Sequence, residues 1–316
     1  MMKRIVYILA AALMMFAGCA KEGSGVSGNS TELSFNVALT GKALSKVDGV
    51  SEATSVDTLD VFIYDENGEW IDTAEPVVTQ GADNLHYNVK VKLVRNVVYN
   101  FVFFAQKKGT YAFSADKKTI GIDYNSLLCN KDSLDAFYAR ENNYKVTGAF
   151  TKNITLYRPF AQVNFGSVQS DYAAAEASKV DFTSGTLKSA IKLSSVADTL
   201  HLLDGTTSGS VDAQLMLNDW QGDTLTVSGA TDTPVHYIAM TYVLASTEKE
   251  MVNEVRLDVA GKQNGIDFAI DHEIANVPIQ RNYRTNIIGD IFSIEGQFNI
   301  IIDPIYNTPD HDKNLQ

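Results

Sequence analysis

Stretches in which apolar and polar residues alternate recur along most of the chain. Residues 33–39 (Leu-Ser-Phe-Asn-Val-Ala-Leu) carry apolar side chains at the odd positions, and residues 87–93 repeat the alternation. A period of two places alternate side chains on opposite faces, so both stretches predict half-buried β-strands. Residues 97–105 are apolar at nearly every position. They predict a central strand with both faces covered.

A polar turn joins two predicted strands in the first half. Residues 59–64 are mostly apolar, and Asp65-Glu66-Asn67-Gly68 leads from them to Trp70 and Ile71. An Asn-Gly pair accepts the positive φ angles that tight hairpin turns require. Residues 59–71 therefore predict a β-hairpin.

Few segments have the pattern of a helix. Short helices are predicted over residues 132–139 and 170–177, where Asp or Ser stands at the N-cap position. Residues 204–212 are rich in Gly, Ser, Thr and Asp and predict a mobile surface loop. Neither helix is long enough to form a core alone, so strands must supply it.

A short motif occurs once in each half. Residues 91–100 and 277–286 both fit V-x-(L/I)-x-R-N-x-x-x-N, and each leads into an apolar strand. The repeat indicates two similar domains, with residues 158–165 as the first strand of the second. The sequence therefore predicts an all-β fold of two tandem antiparallel β-sandwich domains, residues 31–152 and 153–316, with few short helices.

The first thirty residues have the pattern of a lipoprotein export signal. Lys3 and Arg4 precede an apolar run over residues 5–15, which is too short for a permanent membrane span. Small residues then lead directly to Cys19, whose thiol is the predicted lipid acceptor. Residues 1–18 are the predicted signal peptide. The alternative is an ordinary signal peptide with a chance cysteine at the junction. The lipoprotein signal is favoured because residues 19–30 are rich in Gly and Ser, as expected for a flexible tether behind a lipid anchor.

The net charge bears on the expected partners, and the number of cysteines bears on the source of stability. Loss of residues 1–18 would remove two basic residues and leave 24 basic and 38 acidic ones, a net charge of −14. An acidic surface repels nucleic acid, so no DNA or RNA partner is expected. Cys129 is the only cysteine besides Cys19, so stability is expected from hydrophobic burial rather than from a disulfide.

The sequence gives little sign of catalytic chemistry. None of the five histidines has metal-ligand spacing to another, and Cys129 has no partner cysteine, so no metal or cofactor is expected. No nucleophile elbow or phosphate-binding loop is present. A glycosidase with two carboxylates that meet only in the fold stays open. Trp70 and Trp220 are candidates to stack on sugar rings, although half-buried packing is the commoner role of tryptophan.

The chain resembles the fimbrillin-like lipoproteins, the subunits of type V pili, in four features. These are residues 16–19, the hairpin at 59–71, the strand at 156–163, and residues 281–287 leading into 298–304. The resemblance implies two transthyretin-like β-sandwiches and a lipid anchor on Cys19 in the outer membrane, at the cell surface or in a fimbrium. It also implies a structural, non-enzymatic role, with pilus subunits or a second copy as partners through strand addition.

The chain departs from that family at the expected maturation site. In polymerising members an arginine-specific protease removes the first strand, but no arginine occurs here between Arg4 and Arg95. Lys42 and Lys46 follow the first predicted strand instead. Cleavage by a lysine-tolerant protease would give a fimbrial subunit or pilus-associated adhesin. A retained strand would give an anchor, or a surface glycan- or protein-binding lipoprotein that does not polymerise.

Overall fold

The computed structural model describes residues 29–40, 53, 55–220, 222, 224–225, 227, 229–293 and 298–303. The strands of the first half are β1 (Ser30–Leu39), β2 (Thr58–Tyr64), β3 (Val77–Gln80), β4 (His86–Val94), β5 (Val98–Gln106), β6 (Ala112–Phe113), β7 (Thr119–Gly121), β8 (Ala136–Lys145) and β9 (Phe150–Leu156). Short 3₁₀ helices lie at Tyr124–Ser126 and Asp132–Leu134.

The second half begins with β10 (Phe160–Ser167) and the helix α1 (Gln169–Ala177). Its other strands are β11 (Lys188–Val196), β12 (Thr199–His201), β13 (Thr207–Ser208), β14 (Val211–Gln214), β15 (Asn218–Asp219), β16 (Thr224–Leu225), β17 (Val235–Leu244), β18 (Glu250–Gln263), β19 (Ile266–Ile279), β20 (Arg284–Gly289) and β21 (Phe298–Asp303). Across the described ranges, no helix has the length and apolarity needed to cross a membrane.

Two sheets enclose the core of the first half. One has the strand order β3-β4-β1-β9 and the other β2-β5-β8. Phe35 and Val89 of the first sheet share a buried cluster with Phe101, Phe103 and Phe137 of the second. Each such side chain contributes roughly 1.5–3 kcal/mol when it is fully buried. The alternation in residues 33–39 and 87–93 is thus the signature of sheets with one face toward this core.

The second half forms another sandwich. A sheet of order β16-β17-β10-β20-β21 packs against one of order β14-β11-β18-β19, with β15 beside β11. Val163, Phe165, Ile191, Val255 and Leu257 belong to the cluster between them. The predicted fold class, two tandem β-sandwiches with few short helices, is confirmed. The predicted boundary at residues 152/153 lies inside β9, a strand of the first sandwich.

The two sandwiches share one connectivity. β1 and β10 each lie between an antiparallel neighbour, β4 or β17, and a parallel neighbour, β9 or β20. Asn36 donates to Asn153 across the first parallel pair, and Asn164 donates to Asn286 across the second. The chain therefore repeats one sandwich plan, in which β1 corresponds to β10 and β9 to β20.

The sequence motif does not mark that repeat. Residues 91–100 connect β4 to β5, whereas residues 277–286 connect β19 to β20. By the shared connectivity β20 corresponds to β9 and not to β5. The prediction of two similar domains is therefore supported by the order of the strands, and the motif occurs at non-equivalent connections.

The β2-β5-β8 sheet is covered on both faces. Phe101 and Phe103 point into the first core, while Val102 and Phe104 join the cluster of the second half. A small sheet of order β13-β12-β7-β6 links the two halves, because β7 pairs with β12. The prediction of a central strand at residues 97–105 is confirmed, and the double burial explains why nearly every residue there is apolar.

A buried ion pair lies where the two sandwiches meet. Arg158 donates from Nε and Nη2 to the two carboxylate oxygens of Asp135 at 2.8 and 2.7 Å. The side chains are 0% and 1% exposed, and the guanidinium lies 4.5 Å from the ring centroid of Phe137. Burial raises the pKa of Asp135, and the charge of Arg158 opposes that rise.

The predicted turn at residues 65–68 is present. Asp65 Oδ1 accepts from the backbone N–H groups of Asn67 and Glu69, each at 2.8 Å, and Gly68 has φ +78°. The second arm of the hairpin is shorter than predicted, because it is a single bridge between Tyr64 and Trp70.

Three other local segments differ in part from their predictions. The helix predicted over residues 170–177 is α1, but its N-cap is Val168 rather than the predicted Ser or Asp, and no side chain caps it. The one predicted over 132–139 is wrong beyond its first turn, because the chain enters β8 at Ala136. Residues 204–212 are not simply a surface loop, since they contain β13 and the start of β14.

The ion pair at the junction gives a stability prediction. Arg158→Met is expected to lower the free energy of unfolding of the full chain by about 3–5 kcal/mol, because Asp135 would remain buried without its partner. Urea denaturation measures this loss. Lys107→Met is the control, since it breaks an ion pair to Asp57 whose side chains are 48% and 40% exposed. The control should leave stability nearly unchanged, and equal losses would contradict the assignment.

Candidate functional site: the groove that holds the first strand

Strand β1 occupies the interior of its sheet although it is the first strand of the chain described. Ser30–Ala38 pair antiparallel with residues of β4, and Leu33–Leu39 pair parallel with residues of β9. In the order β3-β4-β1-β9, β9 is an edge strand whose only sheet neighbour among the described residues is β1. Removal of β1 would therefore leave two unpaired strand edges that face each other across one gap.

The inward side chains of β1 fill one groove in the core. Leu33, Phe35, Val37 and Leu39 are 0%, 0%, 1% and 7% exposed. Phe35 is the central contact. Its ring centroid lies 5.0 Å from that of Phe101, 5.2 Å from Phe103 and 5.5 Å from Phe150. Without β1 these aromatic rings would lose the side chain that packs among them. The groove would then be an apolar slot with alternate pockets.

The outward face of the same strand carries an amide ladder. Asn36 Nδ2 donates to Asn153 Oδ1 at 3.0 Å, and Asn88 Nδ2 donates to Asn36 Oδ1 at 3.2 Å. The three residues stand opposite one another on β4, β1 and β9. A one-residue shift of β1 would separate the amides and turn its apolar side chains outward, so the ladder and the core fix the same register.

Backbone and side-chain bonds hold both ends of β1. The Arg95 N–H donates to the Asn29 carbonyl at 2.8 Å near its start. At its end the Leu39 N–H donates to the Leu85 carbonyl at 2.9 Å, and Thr40 Oγ1 donates to the Leu156 carbonyl at 2.9 Å. Arg158 Nη1 donates to the Thr40 carbonyl at 3.4 Å. The end of β1 thus touches the ion pair that joins the sandwiches.

The predicted lipidation and processing sites lie outside the described residues. These are Cys19, Lys42 and Lys46. The described part of β1 ends at Leu39, so both lysines follow the strand within seven residues. Release of the strand by cleavage at either lysine remains a prediction.

The two predicted stacking tryptophans lie in different surroundings. Trp70 is 38% exposed, and Lys117 Nζ lies 5.6 Å from its ring centroid. Trp220 is 8% exposed, donates from Nε1 to the Tyr237 carbonyl, and packs 5.4 Å from Phe182. The indole of Trp220 is therefore a core side chain and offers no face for a sugar ring.

Cys129 is not placed for nucleophilic chemistry. It is fully buried, donates from Sγ to the Met240 carbonyl at 3.2 Å, and burial raises its pKa to about 12. The thiolate is the nucleophilic form of cysteine, and this environment suppresses it. Over the residues that the structure describes, no group of three or more His, Cys, Asp or Glu side chains is placed to hold a metal ion.

The sequence did not reveal the residues that complete the groove. Asn153 and Arg158 follow the first strand by more than a hundred residues, and alternation says which face a side chain takes but not which strand lies beside it. The available signal was polar asparagine at outward positions of strands, as at Asn36 and Asn88, where amide ladders form between neighbouring strands.

The aromatic contacts of β1 give a second stability prediction. Phe35→Ala is expected to lower the free energy of unfolding by about 3–5 kcal/mol, because it empties the centre of the groove. Guanidinium denaturation of the full chain measures the loss. Ser34→Ala is the matched control, since it changes the neighbouring outward position and should cost far less. Similar losses from the two variants would show that β1 does not anchor this core.

Comparisons with known proteins place the chain in a family. No curated protein sequence matches it. The tip fimbrial protein Mfa3 from Porphyromonas gingivalis, with a C-terminal truncation, is similar at 12% identity over 87% of this chain and 99% of that one, with a TM-score of 0.44.

A fimbrial assembly protein from Parabacteroides distasonis is similar at 13% identity over 87% of this chain and 99% of that one, with a TM-score of 0.41. At such identities and TM-scores we draw no functional conclusion from either likeness. A family profile, in contrast, covers almost the whole chain, from residue 25 to residue 316. The protein belongs to the family of unknown function DUF6562.

Proposed function

We propose that this protein is a non-enzymatic cell-surface lipoprotein of fimbrial type, a pilus subunit or pilus-associated adhesin that assembles by strand addition. The observation that supports the proposal is the position of β1. It is the first strand described, yet it fills the middle of a sheet and of a core. A strand that can leave such a place after a cut in the chain beside it creates a binding site for another strand.

The energetics favour replacement over an empty groove. Four inward side chains of β1 are buried, which corresponds to roughly 6–12 kcal/mol of burial at 1.5–3 kcal/mol each. The edges of β4 and β9 would also lose their hydrogen-bond partners. A strand from a second copy or from another pilus subunit restores both the hydrogen bonds and the apolar burial. Its backbone pairs with the two edges, and its alternate side chains enter the pockets.

Release of β1 would also release the membrane anchor. The lipid on Cys19 precedes β1, and Lys42 and Lys46 follow it. A cut after either lysine would separate the anchored peptide from the body of the protein once β1 leaves the groove. Before that cut the protein is held at the outer membrane, and afterwards it is free to join a fimbrium.

A peptide complementation experiment tests this function. A site for a specific protease is introduced within residues 41–52 of the full chain, and the cleaved protein is unfolded and refolded with excess synthetic peptide of residues 30–40. The wild-type peptide is expected to restore the denaturation midpoint of the uncut protein, because it supplies the same side chains and backbone bonds.

Two variant peptides make the outcome specific. A peptide with Phe35→Asp should not restore stability, because a charge would enter the aromatic centre of the groove. A peptide with Ser34→Asp places the same charge on the outward face and should bind. Failure of the wild-type peptide, or equal binding of both variants, would contradict strand addition. It would favour a surface-binding lipoprotein that retains its first strand.

A further inference from the structure

A second cavity lies away from the β1 groove, where the two sandwiches meet. It has a volume of about 330 Å³. Four segments form its wall: β8, the turn between β12 and β13, the loop between β17 and β18, and the turn before β20. Its lining residues are Arg140, Asp204, Gly205, Thr206, Thr207, Ser246, Thr247, Glu250 and Arg281. The volume is in the range of small-molecule sites.

Two guanidinium groups line this cavity in fixed positions. Arg281 is 7% exposed and donates from Nε to the Ala245 carbonyl at 3.0 Å. Arg140 donates from Nη1 to the Leu203 carbonyl at 3.1 Å. Burial lowers the pKa of Arg281, and the positive charge of Arg140 adds to that effect. Arginine nevertheless stays charged at neutral pH, so a largely buried cation contributes to the wall.

The backbone around the cavity is held in place. Gly205 has φ +71°, and a Cβ there would lie 3.4 Å from the ring and hydroxyl of Tyr138. Tyr138 itself donates to the Leu202 carbonyl at 2.5 Å. On the opposite side Gln280 Nε2 donates to the Thr247 carbonyl at 2.7 Å. Both loops therefore contact residues of neighbouring segments.

The other lining groups accept and donate hydrogen bonds. Thr206, Thr207, Ser246 and Thr247 carry hydroxyls, which do both. Asp204 is partly buried, which raises its pKa, but Thr206 bonds to Asp204 Oδ1 from its backbone N–H and its hydroxyl at 2.8 and 2.7 Å. The net result is a lowered pKa for Asp204, which is therefore an ionised acceptor at neutral pH.

We propose that this cavity binds a sugar acid, a saccharide that carries a carboxylate beside several hydroxyls. A guanidinium pairs with a carboxylate through two parallel hydrogen bonds. The hydroxyls of the sugar match the Thr and Ser side chains, and the carboxylates of Asp204 and Glu250 accept from them. Inorganic phosphate fits less well, because it would face the carboxylates of Asp204 and Glu250 and has fewer hydroxyl groups to donate to them than a sugar has.

Calorimetric titration of the full-length protein in detergent tests the proposal. Glucuronate and galacturonate are expected to bind at least about tenfold more tightly than glucose, because charge-assisted bonds to arginine are the stronger ones. The competing probes are alanine, which has a carboxylate but no sugar hydroxyls, and inorganic phosphate. Equal binding of glucose and the uronates, or tighter binding of alanine or phosphate, would overturn the assignment.

Variants locate the binding site. Thr247→Val should weaken uronate binding severalfold, because it removes a lining hydroxyl and keeps the shape of the side chain. Lys249→Gln, an exposed neighbour outside the cavity, should leave binding unchanged. Arg140→Lys keeps the positive charge but loses the planar fork, so it should reduce the preference for uronate over glucose, and thermal stability reports whether the variant is folded. A folded Arg140→Lys protein with full preference would contradict the proposal. The cavity shares no residue with β1, so this test and the peptide experiment fail independently.

Discussion

Strand β1 forms hydrogen bonds along both of its edges and places four apolar side chains in one core. This double attachment is what the first sandwich depends on, because β9 has β1 as its sheet neighbour and the aromatic rings around Phe35 pack on it. β1, the first strand described, is interior to its sheet. Its loss would open a slot with the shape of a strand and with unpaired bonds on both walls.

The second sandwich also contains a strand in the position of β1. It repeats the same plan, with β10 between β17 and β20. The chain continues from both ends of β10, and both faces of this strand are covered. β1 differs in the proposal because a cut after Lys42 or Lys46 would separate it from the rest of the sandwich. Strand exchange is therefore proposed for the first sandwich and not for the second.

The pattern of the sequence predicted the secondary structure well and the neighbours poorly. Alternation identified β1 and β4, the continuous apolar run identified β5, and the Asn-Gly pair identified the turn before Trp70. Periodicity reports which face of a strand is buried, and it carries no information about which strand lies beside it. The parallel pairing of β1 with β9 therefore could not be predicted. Neither could the meeting of Arg158 with Asp135, nor the cavity formed by four separate segments.

The repeated motif shows that local sequence similarity does not identify equivalent strands. Residues 91–100 and 277–286 are similar because each ends one strand and begins another with an Arg-Asn turn; Asn96 and Asn282 both have positive φ. A turn of this kind suits any strand connection, so local similarity does not establish equivalence. The order of strands in the sheets does, since it reflects the packing of a whole sandwich.

The intact mass of the protein isolated from its native membrane and surface fibres tests the central claim most directly. If β1 is released, the assembled form lacks lipid and begins at Ala43 or Val47, directly after Lys42 or Lys46. Detection of only the lipidated chain from Cys19 to Gln316 would contradict that claim, because β1 would then remain in its groove.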